Sequence, residues 1–487
     1  MSEWPRRWPA LCLLVSAAPA IAAPGVAAPP GLPTLLHDIE ALRNEYRIPS
    51  VALTLVSTQD VLWTGALGYA DNASRKPATA DTLYRIGSIT KAFTSLAILL
   101  AVEDQRLSLE DPVTALAPDA PLTNPWSATD PVRVAHLLEH TAGLLDLGHA
   151  EFYHSDPKPL SLQEALAVEP DARVCLWPPG LHSSYSNAGA GLAAYALERA
   201  TGQRFEDYVT SRLFRPLGMQ QAGFFLDAPT QANLATGYDR DGKTVIPYWH
   251  TLFRAFGGIN ATAREMAGLV HLLLNRGEVA GKRLLSEAAI ERMETPRTTL
   301  AARSGLNYGY GLGNYQFVYA GFLWHGHGGD GDGYLSRFAY SRQLGLGYFV
   351  VINAFHQRAL REICARIQDY LIQGHTPTTP PLAQMDPARL EALTGRYEAV
   401  THRFPRDTPA AEAEPDRLEV VLSDSRLFTR TPDGERRELL PLDERHFRRA
   451  QQPVATIAFI EYRGELYLQG EPGNYRRVVE PARLSED

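Results

Sequence analysis

The sequence predicts a mixed α/β fold of the α+β kind: a sheet with helices packed on it and a large helical lobe inserted, followed by a small C-terminal all-β barrel. Three observations lead there. Strand patterns stand at both ends of the segment up to Gln373, with helical patterns between them, so the sheet must be assembled from both ends. A Pro/Thr-rich run, His375-Thr-Pro-Thr-Thr-Pro-Pro381, then interrupts the chain. Beyond it, short strand patterns recur between turn signals such as Pro432-Asp433-Gly434, Arg463-Gly464 and Pro472-Gly473-Asn474.

In chain order, residues 1–22 read as a secretory signal peptide. Arg6 and Arg7 precede a short apolar stretch that ends in Ala20-Ile21-Ala22. Pro9 and Pro19 break that stretch, which favours cleavage over an uncleaved anchor, and no later segment reaches 18 apolar residues. The expectation is an exported protein, periplasmic or secreted, without a transmembrane segment. Residues 23–34 are rich in Ala, Pro and Gly and read as a linker. A domain over 35–374 opens with helical spacing at Leu35–Tyr46. Strands at Val51–Ser57 and Val61–Tyr69 follow around a polar turn, Thr58-Gln59-Asp60. Helical segments dominate from Ser88 to Gly281, the clearest opened by a capping box at Thr262-Ala263-Arg264-Glu265. Strands are expected again at Tyr308–Tyr319, Tyr334–Ser341 and Leu346–Ala354, then a helix over Gln357–Gln373. Residues 375–386 form a second linker, and 387–487 the barrel, with Ala410–Glu414 as a loop insertion.

Composition excludes several classes. Hydrophobic residues make up 45% and charged ones 21%, an ordinary globular balance. Acids outnumber bases 55 to 47 without a long basic run, so a nucleic-acid partner is not expected. Three cysteines are too few for a disulfide scaffold, and no Cys-x-x-Cys pair offers a zinc site. In an exported chain Cys175 and Cys364 become candidates for one disulfide, although Cys364 lies in an apolar helical pattern that suits a free buried thiol.

Three strings carry chemistry. In Gly87-Ser88-Ile-Thr-Lys91, Lys91 lies one turn along the helix face from Ser88 if Ser88 opens the helix. Apolar surroundings would lower the lysine pKa and make it a proton acceptor, and the helix N-terminus places the Ser88 amide where an oxyanion would form. A capping serine with a surface lysine is the plainer alternative. In Tyr185-Ser-Asn187, the phenol offers a proton relay and the amide a substrate contact, although a capped helix start reads the same way. The third string is Trp324-His325-Gly-His327-Gly328-Gly329-Asp330-Gly-Asp332-Gly-Tyr334. Its paired histidines lack a third clustered metal ligand, and the Asp-rich part fails the EF-hand pattern because Tyr334 stands at the third ligand position. A glycine-rich strand edge that lets substrate backbone approach, and a plain loop with solvated histidines, remain as readings.

Taken in this order, Ser88-x-x-Lys91, Tyr185-x-Asn187 and His327-Gly328-Gly329 resemble the penicillin-recognising serine hydrolases, in the branch of class C β-lactamases, D,D-carboxypeptidases, D-aminopeptidases and related esterases. Leu137–Leu144 and Leu213–Met219 also look like family segments. The similarity runs from Leu35 to Gln373, and the tail from Pro387 resembles the lipocalin-like barrel appended to some members. The resemblance implies a β-lactamase/transpeptidase-like antiparallel sheet flanked by helices. It implies that Ser88 attacks a carbonyl to form an acyl-enzyme, that Lys91 and Tyr185 share the proton transfers, and that Asn187 orients the substrate. The Ser88 and Asp330 amides, beside Gly328 and Gly329, would form the oxyanion hole. No metal or organic cofactor is implied, and the substrate is expected to be a small molecule or peptide, cell-wall fragments included.

One departure bears on specificity. Where β-lactamases typically carry Lys-Thr-Gly, this chain has His327-Gly328-Gly329. A histidine is mostly neutral at pH 7, so a substrate carboxylate would be held weakly there or by an arginine placed elsewhere. Ester, amide or D-residue peptide hydrolysis is therefore expected ahead of efficient β-lactam turnover. A catalytically silent binding protein for peptidoglycan fragments or β-lactams is the competing reading, against which all three motifs are retained. An α/β-hydrolase is excluded because the Gly-x-Ser-x-Gly elbow is absent.

Overall fold

The computed structural model describes residues 30–154, 158–401 and 416–478; the signal-peptide reading at 1–22 and the loop reading at Ala410–Glu414 fall outside the described residues. Helix α1 (Leu32–Glu45) begins three residues before Leu35, with a proline in its first turn, where a missing amide costs no helical hydrogen bond. Strands β1 (Ser50–Ser57), β2 (Val61–Asp71) and β3 (Lys76–Pro77) follow. The turn between β1 and β2 closes when the Asp60 amide donates to Ser57 Oγ at 2.9 Å. From the other end of the segment come β4 (Tyr315–Tyr319), β5 (Phe322–Gly331), β6 (Tyr334–Ser341) and β7 (Leu346–Ile352). They form one antiparallel seven-stranded sheet in the order β3-β2-β1-β7-β6-β5-β4. The two chain ends meet where Leu53 faces Val350, so the expected assembly from both ends is what the strands form.

Period-two alternation divides the sheet between two cores. Val51, Leu53 and Leu55 of β1, with Tyr348, Val350 and Ile352 of β7, face α1 and α5 (Gln357–Leu371). Ala52 and Val56, with Phe349 and Val351, face the larger core shared with the helical lobe. Helix α4 (Ala263–Leu274) packs on that second face, opened by the expected capping box: Thr262 Oγ1 accepts from the Glu265 amide at 3.1 Å, and the Glu265 carboxylate accepts from the Thr262 amide at 3.3 Å.

One expectation needs correction. The strand foreseen at Tyr308–Tyr319 starts only at Tyr315. Its first half carries three glycines, two of which pass too close to other backbone for a ladder: a Cβ on Gly311 would lie 2.2 Å from the Met293 carbonyl, and one on Gly313 2.4 Å from that of Lys91. The cysteines are not paired, as the apolar pattern around Cys364 favours. Cys175 is buried in the helical-lobe core and Cys364 in the core under α5, and both are free thiols.

No regular element occupies 375–386. After a short helix, Pro387–Ala392, eight strands close an antiparallel barrel: β8 (Gly395–Ala399), β9 (Arg417–Ser423), β10 (Arg426–Arg430), β11 (Arg436–Pro441), β12 (His446–Arg448), β13 (Ile457–Tyr462), β14 (Glu465–Gly470) and β15 (Gly473–Arg477). Closure comes from β8 pairing with β15. Side chains such as Tyr397, Leu427, Phe447, Phe459 and Leu468 pack together as its core, as small barrels require. A second apolar cluster joins barrel to sheet domain: Leu300, Ala301 and Leu306 pack on Ala458, Ile460 and Tyr467. Among the described residues no helix is long and apolar enough to cross a membrane.

Candidate active site

The site forms where helix α2 (Thr90–Glu103) points its first turn at strand β5. A short ribbon pairs Leu83–Arg85 with Asn260–Thr262 and delivers the chain to a 3-10 turn at Gly87–Ile89, so Ser88 sits one step before α2 proper. Residues Thr90 to Ala101 are buried on every side of the helix, as expected of a helix at the centre of a core. Lys91 is therefore carried into the interior, only 3% exposed.

An ammonium buried this deeply needs polar partners. Lys91 Nζ donates to Ser88 Oγ at 3.0 Å, to Asn187 Oδ1 at 2.7 Å and to the Phe256 carbonyl at 2.8 Å. It also lies 4.8 Å from the centre of the Tyr185 ring. Helix α3 (Asn187–Thr201) supplies Asn187 as its first residue, and Tyr185 stands just before it. Asp146 fixes the orientation of Asn187: its carboxylate accepts from the Asn187 backbone amide at 2.8 Å and from Nδ2 at 3.2 Å, which turns Oδ1 towards the lysine.

Strand β5 closes the other side. Gly87 has φ +53°, and a Cβ there would lie 2.9 Å from the Asp330 amide nitrogen. A Cβ on Gly329 would lie 1.9 Å from the Ile86 carbonyl oxygen. Two glycines at 87 and 329 thus allow the serine turn and the strand to touch backbone to backbone. Ser336 of β6 ties the contact, donating to the Ile86 carbonyl at 2.9 Å.

His327 is 3% exposed. Its Nδ1 pairs with the Gly328 carbonyl, which can only accept, so Nδ1 carries the proton and Nε2 accepts from the Tyr310 hydroxyl at 2.6 Å. Burial, and then the charge of Lys91, push its pKa down to about 3, so the ring is neutral. The paired-histidine metal reading finds no cluster of three ligand side chains among the described residues. Asp332 and Gly333 make the turn between β5 and β6.

Ser88, Tyr185, Asn187, His327, Gly328 and Asp330 line one cavity, with Lys91 directly behind Ser88 and Gly329 packed under Ile86. Other lining residues had no local motif to announce them. Phe152 stacks on Trp249 at 5.7 Å and on Phe256 at 5.5 Å, giving one aromatic wall. Arg337 faces Gly328 across the β5–β6 ladder and has no carboxylate within ion-pair distance among the described residues. A Cβ on Gly328 would lie 3.4 Å from Arg337 Nη2 and 3.5 Å from the Tyr315 hydroxyl, so the missing side chain leaves space between them. His140, inside the Leu137–Leu144 segment, has φ +57° and packs its ring, tilted by 37°, 4.2 Å from that of Tyr185.

The Beta-lactamase family model matches residues 36–370. A β-lactamase of Yersinia enterocolitica is 30% identical over 224 residues, which cover 46% of this chain and 55% of that relative, little more than half its length. Penicillin-binding protein 4 of Amycolatopsis lactamdurans is 25% identical over 380 residues, 74% of this chain and 95% of that protein. In fold, the octameric penicillin-binding protein homologue of Pyrococcus abyssi superposes with a TM-score of 0.60 at 24% identity, covering 92% of this chain and 100% of that one.

Proposed function

The chain belongs to the Beta-lactamase family, and we propose that it is an exported serine hydrolase that forms an acyl-enzyme on Ser88 and cleaves an ester, an amide or a peptide containing a D-residue. The observation that carries this reading is the hydrogen-bonded constellation of Ser88, Lys91 and Asn187. Of the three oxygen partners of Lys91, Asn187 Oδ1 and the Phe256 carbonyl can only accept, whereas the Ser88 hydroxyl can also donate. A neutral amine would keep its two N–H bonds on the acceptors and turn its lone pair to Ser88. The serine proton then passes to Nζ as Oγ forms a bond to the substrate carbonyl carbon. The carbonyl π electrons move to oxygen, where the Ser88 and Asp330 amides stabilise the charge; the close packing of Gly87 on Asp330 supports that pairing. Collapse expels the leaving group, which takes a proton through Tyr185. Water repeats the sequence to release the acid and regenerate Ser88.

The substrate side of the reading rests on the cavity walls. A neutral His327 offers no cation for a carboxylate, and Arg337 across the strand is the group suited to that task. The aromatic wall of Phe152, Trp249 and Phe256 suits an apolar substituent on the acyl part. Kinetics on nitrocefin, a p-nitrophenyl ester and D-alanyl peptides test this assignment. Turnover of the ester or the peptides should exceed that of nitrocefin; nitrocefin turnover far above both would overturn it in favour of a true β-lactamase.

A further inference from the structure

The barrel core is filled by its own side chains, and among the described residues none of the barrel lines the cavity around Ser88. The described barrel reaches the site through its contacts with the sheet domain. The apolar cluster around Leu300 and Ile460 is one such contact. Another is polar and reaches the segment that leads to Tyr185.

Residues 181–186 form neither helix nor strand, so their backbone groups depend on outside partners. Those partners divide along the segment, with an overlap at Leu181, whose amide donates to the Pro178 carbonyl at 3.3 Å and whose carbonyl also accepts from the Leu300 amide at 3.4 Å. From 184 onward they belong to the sheet domain: the Ser184 amide donates to the His140 carbonyl at 2.8 Å, and the Ser186 amide to His140 Nδ1 at 3.2 Å. Before 184, two barrel amides take over. Gln469 of β14 is only 1% exposed; its Nε2 donates to the Leu181 carbonyl and to His182 Nδ1, both at 2.9 Å, and its Oε1 accepts from the Ala301 amide at 2.9 Å. Asn474 of β15 donates through Nδ2 to the Ser183 carbonyl at 2.9 Å, with Ser183 Oγ and Thr401 Oγ1 at 3.3 and 3.1 Å. Tyr467 packs its ring 5.5 Å from that of His182.

We propose that the C-terminal barrel is a positioning element for Tyr185, acting through Gln469 and Asn474 as positioning residues that hold 181–183 while His140 holds 184–186. The proposal rests on the role given to Tyr185 above. Tyr185 lies inside the span held by His140 and two residues past Ser183, the last residue held by the barrel; its ring packs against His140 on one side and Lys91 Nζ on the other. Releasing the barrel anchor removes the support on the approach to the phenol, and a misplacement of about 1 Å can cost a positioned group about 10²-fold. A barrel serving only to stabilise the chain would need its apolar contacts but no amides aimed at this loop.

The test is the ratio of kcat/KM on an amide substrate, whose leaving amine must take a proton, to that on the p-nitrophenyl ester of the same acyl group. It is measured in the full chain across pH, with melting temperature and fluorophosphonate labelling of Ser88 alongside. Gln469→Leu and Asn474→Ala should each lower the amide rate more than the ester rate, by about tenfold for Gln469→Leu, and should shift the pH profile of the amide rate. Ile460→Ala, in the apolar half of the same interface, should lower the melting temperature while keeping the wild-type ratio. If Gln469→Leu does not fold, Asn474→Ala carries the test. Wild-type ratios and pH profiles in both amide variants, or an equal change of ratio in Ile460→Ala, would overturn the positioning role. A wild type that never labels would instead overturn the hydrolase reading beneath it.

Discussion

Lys91 Nζ stands 3.0 Å from Ser88 Oγ, one turn apart in sequence at the mouth of α2, with the lysine buried and the serine half-buried on the cavity. If this pair passes the serine proton, Lys91→Met should lower the acylation rate by about 10²–10⁴-fold, the range for a lost general base. Tyr185→Phe should behave differently. A p-nitrophenolate departs without needing a proton and an amine does not, so amide cleavage should fall far more than p-nitrophenyl ester cleavage. Parallel kcat/KM measurements on both substrates read the difference; equal losses would move Tyr185 to the serine side of the relay.

Gly87→Ala should damage the site through backbone alone. The substitution places a Cβ at φ +53°, a conformation that costs an L-residue about 1–2 kcal/mol. The same atom would press on the Asp330 amide at 2.9 Å and widen the gap between the two candidate oxyanion donors. Denaturant melts should show the stability loss, and ester kcat should drop by about tenfold or more while KM changes little.

Arg337→Met separates charge from catalysis. With its cation removed, KM for a substrate bearing a free carboxylate should rise by about 10- to 100-fold, the worth of one charge-assisted hydrogen bond. A neutral ester should be turned over within about twofold of wild type. Equal effects on both substrates would remove Arg337 from the carboxylate role.

Three histidines, two buried and His136 half-buried, give stability an acid limit. Burial is the main cause in each: it holds His136 and His182 at about 4, helped by the charges of Arg133 and Arg476 respectively, and His327 at about 3. Their ordinary value is 6.5, so between pH 6.5 and about 4 the unfolded chain binds protons that the folded chain refuses. Stability should therefore be highest above pH 6.5 and fall as pH drops through that window. Urea melts at several pH values measure the slope, and His136→Gln should flatten it.

Much of the fold was legible because sheet and helix periodicity are local properties. The alternation in β1 and β7, the capping box at Thr262 and the eight short strands of the tail all announce themselves over a few residues. The glycine-rich stretch before Tyr315 misled, because alternation alone cannot register a carbonyl 2.2 Å from a missing Cβ. In the site, Ser88 and Lys91 share one helical turn, and Tyr185 and Asn187 share one helix mouth, so spacing exposed them. Asp146, Tyr310 and Arg337 reach the cavity or its residues only through tertiary contact. His140 left one trace, its place inside a recognisable segment, but its positive φ and its contact with the Tyr185 ring had no sequence signal.

The central claim is that Ser88 is an activated nucleophile. Intact-mass measurement after exposure to a fluorophosphonate, comparing wild type with Ser88→Ala, tests it most directly. The account predicts a single adduct on the wild type and none on the variant. An unmodified wild type, or equal labelling of the two proteins, would contradict it; the first result would point to a silent binding protein and the second to a different nucleophile.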